Sequence, residues 1–179
     1  MEDKELLVKF LNPDTQNFAF NQLVRKYQQQ VYWHIRKMVI DHDDANDLTQ
    51  EVFLKIWKNL DTFRQDSQLY TWIYRIATNE CLSFLKSKRR KFFLPIRDVA
   101  AELTEKLENS PVMEGDEIQM LLQKALLQLP DKQRLVFNMR YYDDLKYEDI
   151  SAILGTSAGA LKASYHHAVK KIEEFLSRH

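Results

Sequence analysis

The most constraining feature of this sequence is the spacing of its apolar residues between Asp43 and Leu60. They are separated by one, three or four positions: Leu48, Val52, Phe53, Ile56, Trp57 and Leu60. This spacing places them on one face of an α-helix, whereas a half-buried strand would alternate every second residue. The aspartates near the start suit the free N–H groups and the positive dipole end of a helix: Asp41, Asp43, Asp44 and Asp47.

Similar helical patterns recur along the rest of the chain. They cover Asn17 to Ile40, Leu69 to Arg90, Glu117 to Gln128, Asp131 to Tyr142, Lys146 to Leu154 and Ser157 to Ser177. Only three glycines and four prolines occur in 179 residues, which leaves little material for the tight turns of a β-protein. The sequence therefore predicts an all-α protein made of two small helical domains.

The last two predicted helices have the composition of a helix-turn-helix. Gly155 suits the left-handed cap that ends one helix, and Ser157 suits the N-cap of the next. The final helix would bury Leu161, Tyr165, Ala168, Ile172 and Phe175. Its opposite face would carry Gly159, Lys162, Ala163, His166 and Lys170. That outward face is the candidate DNA-reading surface.

The two predicted domains are joined by an acidic segment. The chain has 26 basic and 26 acidic residues, but from Arg64 to Lys91 seven basic residues face only two acidic ones. Residues 92–116 reverse this balance, with six acidic residues against two basic ones, and contain Pro95, Pro111 and Gly115. We expect domains at 1–91 and 117–179 and a flexible acidic linker at 92–116, with room for a short helix from Val99 to Leu107. Fully extended, the linker would reach about 80 Å.

The helix from Leu69 to Arg90 combines charge with aromatic rings. A polar stripe follows one side at helical spacing: Thr71, Arg75, Asn79, Ser83, Lys86 and Arg90. Beside it lie Tyr70, Trp72 and Tyr74. Basic groups bind phosphates and aromatic rings stack on unpaired bases, so this pattern favours nucleic-acid binding. Core packing of Trp72 and simple solvation of the polar stripe remain alternatives.

Several classes of function lack support. The sequence has no P-loop, glycine-rich nucleotide fingerprint, HExxH motif or nucleophile elbow, so we expect neither an enzyme nor a cofactor or metal site. The one cysteine, Cys81, cannot form an intramolecular disulfide and is expected in the core. The N-terminus lacks a secretion signal and no apolar run reaches the roughly 18 residues of a membrane span, so we expect a cytoplasmic protein without membrane insertion.

Five segments carry motifs that are informative in combination: Asp43 to Trp57, Tyr70 to Asn79, Leu129 to Phe137, Tyr147 to Gly155 and Gly159 to Lys162. Taken together, they resemble the sigma factors of bacterial RNA polymerase. The resemblance is to the compact extracytoplasmic-function class of the housekeeping-type sigma family and covers nearly the whole chain outside the linker. It implies a subunit that brings RNA polymerase to specific promoters and initiates transcription by promoter recognition and DNA melting. The implied partners are core RNA polymerase, promoter DNA and an anti-sigma factor.

The resemblance assigns a role to each group of residues. Docking on the clamp helices of the largest polymerase subunit is implied for Asp43, Asp47, Gln50, Glu51 and Lys55. Recognition and melting of the minus-ten element is implied for Phe63, Arg64, Ser67, Tyr70, Trp72, Tyr74, Arg75, Asn79, Lys86, Arg89 and Arg90, with Phe63 to Leu69 forming the loop that captures a flipped base. Recognition of the minus-thirty-five element is implied for Lys146, Tyr147, Ser157, Gly159, Lys162, Ala163, Ser164, His166 and His167. The linker would pass near the polymerase active-site channel.

This chain departs from its family in the recognition helix. Where sigma factors of this class commonly carry Lys-Ser-Arg-Leu-His-Arg-Ala-Arg, residues 162–169 read Lys-Ala-Ser-Tyr-His-His-Ala-Val, so three arginines are absent. A stand-alone helix-turn-helix regulator is the main alternative, and a helical adaptor that binds only protein is a third. Zero net charge counts against the regulator, because a free DNA-binding protein must supply its own phosphate affinity.

Overall fold

The computed structural model describes residues 1–91 and 96–179, and these residues form α-helices joined by short connections, with no strand among them. The helices are α1 (Asp3–Leu11), α2 (Gln16–Val39), α3 (His42–Asn59), α4 (Leu69–Lys91), α5 (Ile96–Asn109), α6 (Glu117–Leu127), α7 (Asp131–Tyr141), α8 (Tyr147–Leu154) and α9 (Ala158–Ser177). A short 3₁₀ turn, Leu60–Thr62, follows α3. The predicted all-α class is confirmed.

Helix α3 buries the apolar face that its spacing predicts. Val52 and Ile56 are fully buried between α2 and α4. The capping residue is Asp41, whose carboxylate accepts a hydrogen bond from the backbone N–H of Asp44 at 2.9 Å. This bond satisfies one of the donors that every helix leaves free in its first turn, so the helix begins where the aspartate cluster predicts.

Helix α1 was not among the predicted helices. It packs on α2 through Leu6, Leu7 and Phe10, whose spacing of one and three positions was the available signal. The Phe10 ring lies edge-on to Trp57 of α3, with 5.4 Å between ring centroids. A T-shaped aromatic contact of this kind adds to the burial of apolar area, so α1 is anchored to the N-terminal helices.

The acidic segment contains a longer helix than the sequence suggested. Helix α5 extends the expected short helix, residues 99–107, to Ile96–Asn109, and it buries Val99, Leu103 and Leu107 at a spacing of four. Over this stretch the segment is therefore packed rather than extended in this structure. Pro95 lies outside the described residues, and linker flexibility and the domain boundaries stay predictions.

The C-terminal helices form the predicted helix-turn-helix. Gly155 ends α8 with φ of 69°, in the left-handed region that glycine adopts without strain. The Ser157 side chain accepts a hydrogen bond from the N–H of Ala160 and caps α9. Leu161, Ala168 and Ile172 are buried, while Lys162 and His166 are exposed. The predicted outer face of α9 is confirmed, whereas on the predicted inner face Tyr165 and Phe175 are half-buried rather than buried.

The C-terminal helices pack directly on the N-terminal ones. Arg134 of α7 is 2% exposed, and its guanidinium donates hydrogen bonds to the carbonyl oxygens of Lys37 and Met38 at 3.2 and 2.7 Å. These carbonyls belong to the last turn of α2, where a helix has acceptors without intrahelical donors and where its dipole favours a cation. A side chain from the second half of the chain thus caps a helix of the first half.

Candidate nucleic-acid interface

One face of α3 combines acidic groups with an exposed apolar side chain. Asp43, Asp47, Gln50 and Glu51 are all exposed and share this face at spacings of three and four. Lys55, at its edge, forms an ion pair with Glu80 of α4. Leu54 lies on the same face and is 52% exposed, a feature that the sequence analysis missed although its position off the buried stripe signalled it. Leu54 therefore adds one apolar contact to an otherwise charged surface.

The loop that precedes α4 borders a large cavity, whose volume of about 730 Å³ lies within the range of ligand pockets. One wall consists of loop residues Phe63 and Gln65 to Leu69, and the other of Glu2, Asp3, Lys4 and Leu7. Ser67 lines the cavity and is half-buried, while Arg64 is an exposed residue of the same loop. The wall contributed by α1 was not predicted, because α1 itself was missed.

The aromatic residues of α4 divide between surface and core. The half-buried ring of Trp72 contacts Phe63, with 5.2 Å between centroids, and so lies beside the cavity wall. Tyr70 is also half-buried and contacts Tyr74 at 4.4 Å. Tyr74 itself is 4% exposed and packs on His34, so its ring is a core residue in this conformation. Burial raises the pKa of Tyr70 to about 12, so this hydroxyl is neutral at physiological pH.

Some of the basic groups of α4 are exposed, and others bind groups elsewhere in the protein. Asn79, Lys86 and Arg90 are exposed, as predicted. The guanidinium of Arg75 donates two hydrogen bonds to the carbonyl oxygen of Ala152 in α8, at 2.8 and 2.6 Å. Arg89 forms an ion pair with Asp131 at the start of α7. These two arginines thus bind groups of the C-terminal helices in this structure.

The outer face of α9 is open to solvent. Exposed residues on or beside it are Lys146, Ser157, Gly159, Lys162, Ala163, His166 and His167, and Ser164 is half-buried. The half-buried ring of Tyr147 has two cations over it, with Lys162 at 5.8 Å and Arg140 at 5.1 Å from its centroid. Such cation–π contacts hold the ammonium of Lys162 over the start of α8.

The described residues also bear on metal binding and membrane insertion. Residues 1–91 and 96–179 include no set of three or more histidine, cysteine or acidic side chains arranged to hold a metal ion. Nor does any helix in this part of the chain have the length and apolar character required to cross a bilayer. Cys81 is fully buried in the core, as predicted.

The fold and these surfaces define a DNA-binding protein that combines a helix-turn-helix with a basic, aromatic helix. Residues 23–91 match the family model for Sigma-70 region 2, and residues 119–172 match that for Sigma-70, region 4. RNA polymerase sigma-H factor of Pseudomonas aeruginosa is 31% identical over 98% of this chain and 94% of its own length. The ECF RNA polymerase sigma-E factor of Escherichia coli K12 is 32% identical over 87% of this chain and 85% of its own.

Solved structures share the fold. The sigma factor RpoE of Bartonella quintana, in complex with the anti-sigma factor NepR, has a TM-score of 0.68 at 23% identity and covers 88% of this chain and 96% of its own. CnrH in complex with the cytosolic domain of CnrY also has a TM-score of 0.68, at 22% identity, and covers 98% of this chain and 97% of its own.

The chain belongs to the extracytoplasmic-function class of RNA polymerase sigma factors. It directs RNA polymerase to promoters for the initiation of transcription. The family implied by its motifs is confirmed, and the stand-alone regulator is not favoured.

Proposed function

We propose that the two halves of this sigma factor divide promoter recognition between them. Helices α1–α4 (residues 1–91) dock on core polymerase through α3 and open the minus-ten element with the loop and α4. Residues 92–116 link them to α6–α9 (residues 117–179), which read the minus-thirty-five element. The observation that carries this proposal is the arrangement around α4, where a 730 Å³ cavity, the contact between Phe63 and Trp72 and the exposed Lys86 and Arg90 lie on one helix and its preceding loop.

Opening DNA without ATP requires that an unpaired base is bound better than a paired one. Flipping a base costs a few kcal/mol, and stacking on an aromatic side chain returns about 1 to 3 kcal/mol per base. The rings of Trp72 and Phe63 lie beside the cavity, and we assign them to stack on the captured base. Charge and hydrogen bonds for the DNA backbone come from Arg75, Asn79, Lys86, Arg89 and Arg90. A captured base and its neighbouring phosphates together offset the cost of unpairing.

The acidic face of α3 suits a protein partner rather than DNA. The carboxylates of Asp43, Asp47 and Glu51 would be repelled by phosphates, whereas they can pair with basic groups of core polymerase. Gln50 adds a neutral hydrogen-bonding group to this face, and Leu54 adds an apolar contact. We assign the clamp helices of the largest polymerase subunit as this partner. Docking also raises the concentration of the DNA-reading helices at the promoter, which compensates for a chain without net charge.

The recognition helix is expected to bind its element weakly. Three arginines of the family pattern are absent, so Lys162 and Lys170 are the cations of the α9 face, with Lys146 beside it and His166 and His167 available for base edges. Fewer phosphate contacts lower affinity for any duplex. We therefore assign more of the promoter affinity to α4 than to α9.

We extend the partner set by analogy with the solved relatives, two of which were determined with an anti-sigma factor or a cytosolic partner domain. An anti-sigma factor that covers the polymerase- or DNA-facing helices would hold this chain inactive. The protein acts in the cytoplasm, where polymerase and chromosome are found, and it contributes binding energy rather than catalysis.

The test is transcription with purified core polymerase on duplex and pre-melted forms of a cognate promoter. Trp72→Ala should reduce initiation on the duplex by roughly tenfold, the value of one lost stacking contact, and have less effect on the pre-melted template. Trp33→Ala is the matched control, because Trp33 is an exposed tryptophan of α2 outside the loop cavity. Equal defects of Trp72→Ala on both templates would exclude a melting role. If the unmodified protein did not bind core polymerase in a pull-down, the result would instead support a stand-alone helix-turn-helix regulator.

A further inference from the structure

One wall of the cavity in front of α4 lies outside the residues that match the family model. Glu2, Asp3, Lys4 and Leu7 form this wall and precede residue 23, where the match to Sigma-70 region 2 begins. The loop wall, between Phe63 and Leu69, lies within the match. A base held by the loop would therefore also face side chains that the family pattern does not specify. These side chains are candidates for setting which base the cavity accepts.

The α1 wall is held in place before any ligand binds. The two carboxylate oxygens of Asp3 accept hydrogen bonds from the ammonium of Lys26 at 2.7 Å and from the hydroxyl of Tyr27 at 2.8 Å. Both partners belong to α2, and the buried ring of Tyr27 carries this contact into the core. Asp3 thus fixes the start of α1 against α2. A wall arranged in advance loses little conformational entropy when a ligand binds.

Glu2 is an acceptor of the α1 wall that the helix itself does not use. It occupies the N-cap of α1, but its side chain makes no capping hydrogen bond, and it is exposed. Its carboxylate can therefore bind a ligand without giving up a contact to the helix. Asp66 of the loop wall is a second exposed carboxylate that lines the cavity. Each wall thus carries a group that only accepts hydrogen bonds.

The charge of the cavity suits a base better than a phosphate. Its lining includes the acidic Glu2, Asp3 and Asp66 and the basic Lys4, and Asp3 is already paired with Lys26. The remaining excess of negative charge repels phosphate groups and attracts hydrogen-bond donors. The donors that DNA bases offer are their exocyclic amino groups and ring N–H groups.

Exocyclic amino groups divide the four bases of DNA. Adenine, cytosine and guanine each carry one, whereas thymine carries carbonyl oxygens and a methyl group. The ring N–H of thymine lies between two carbonyl oxygens, which repel a carboxylate. Size does not decide, because a cavity of about 730 Å³ admits a purine or a pyrimidine. Selection in this cavity is therefore made by hydrogen-bond chemistry.

We propose that Glu2 is a specificity-determining residue of this sigma factor: its carboxylate accepts a hydrogen bond from the exocyclic amino group of the captured minus-ten base and thereby disfavours thymine at that position. The proposal rests on the function assigned above to the loop and α4. It places part of the promoter selectivity in α1, a helix that precedes the residues matched by the family model.

The first measurement locates the captured base. Holoenzyme assembled from core polymerase and the full-length chain is titrated onto a fluorescent, pre-melted cognate promoter. Each non-template base of the minus-ten element is replaced in turn by an abasic site, and the captured position is the one whose replacement weakens binding most. Thymine at this position should bind at least about fivefold more weakly than adenine, cytosine or guanine, the value of one good contact to a base edge.

The second measurement isolates the contact of Glu2 by a double-mutant cycle. Adenine at the captured position is compared with purine, which lacks only the amino group. Loss of the amino group should weaken binding of the parent about fivefold and of Glu2→Ala less than about twofold, because the variant has already lost the contact. Glu2→Gln keeps a neutral acceptor and should give an intermediate value. Glu5→Ala is the matched control and should behave as the parent, since Glu5 is an exposed glutamate of α1 outside the cavity lining.

The outcomes separate the role of Glu2 from the function on which it rests. If no abasic replacement weakened binding, the chain would capture no base, and the proposed function would fail together with the role of Glu2. If one position mattered but purine and adenine differed as much for Glu2→Ala as for the parent, base capture would stand and the role of Glu2 would be overturned. A uniform loss for all bases in Glu2→Ala would also overturn it, because a structural defect alone does not change discrimination. Circular dichroism checks that the variants keep the helix content of the parent.

Discussion

Replacing Arg134 tests whether the two halves of the chain are packed together in solution. Arg134→Met keeps a long side chain and removes the donors to the carbonyl oxygens of Lys37 and Met38. A buried carbonyl left without a donor costs about 1 to 3 kcal/mol. The two carbonyls would cost about 2 to 6 kcal/mol, and burial of the methionine together with relief of the buried charge returns part of this. We expect a net loss of about 2 to 4 kcal/mol in the free energy of unfolding.

The assay is urea unfolding followed by far-ultraviolet circular dichroism. With a slope of about 2 kcal/mol per molar urea, the midpoint should fall by about 1 to 2 M. Arg25→Met is the matched control, since Arg25 is an exposed arginine of α2, and it should change the free energy by less than about 0.5 kcal/mol. A midpoint shift of Arg134→Met below about 0.3 M would refute the reasoning, because Arg134 would then not cap α2 in the native protein.

Two further predictions concern the backbone and pH. Gly155→Ala should lower the free energy of unfolding by about 1 to 2 kcal/mol in a thermal melt, because φ of 69° strains any residue with a Cβ, whereas Gly159→Ala in α9 should cause no loss. Burial alone would raise the pKa of Asp143, but His34 and Lys37 outweigh it and hold this pKa below its ordinary value. The Asp143 carboxylate therefore stabilises the fold fully above about pH 4, and this stabilisation is lost as the pH falls further. An Asp143→Asn variant that unfolds in acid with the same pH profile as the parent would contradict this prediction.

Local signals in the sequence were sufficient for most of the helices. The apolar spacing of α3 and α9 gave their buried faces, and Gly155 and Ser157 gave the turn between α8 and α9. These features are local, since each depends on residues a few positions apart. The exposed residues of the α9 face follow from the same periodicity.

The contacts between distant segments were beyond such signals. Arg134 lies in a predicted helix, but nothing in its neighbourhood indicates that it caps a helix 96 positions earlier in the chain. Tyr74 shows the same limit, because an aromatic residue beside a polar stripe can stack on bases or fill the core. In this structure Tyr74 packs on His34 of α2 and is a core residue. Pairings of this kind depend on tertiary packing rather than on local pattern.

The ion pairs of α5 also determine how salt will act on this protein. Glu102 lies 2.7 Å from Lys88 and 3.5 Å from Lys106, and Lys106 in turn lies near Asp41 and Asp44. In ordinary DNA-binding proteins, cationic side chains release condensed cations from the duplex, and this release makes affinity fall steeply with salt. Lys88 lies at the basic end of α4 beside Arg89 and Arg90, so a covalently attached carboxylate must leave it before a phosphate can bind there. The acidic segment thus acts as a built-in counterion, and DNA binding will depend on salt less steeply than the number of lysines and arginines suggests.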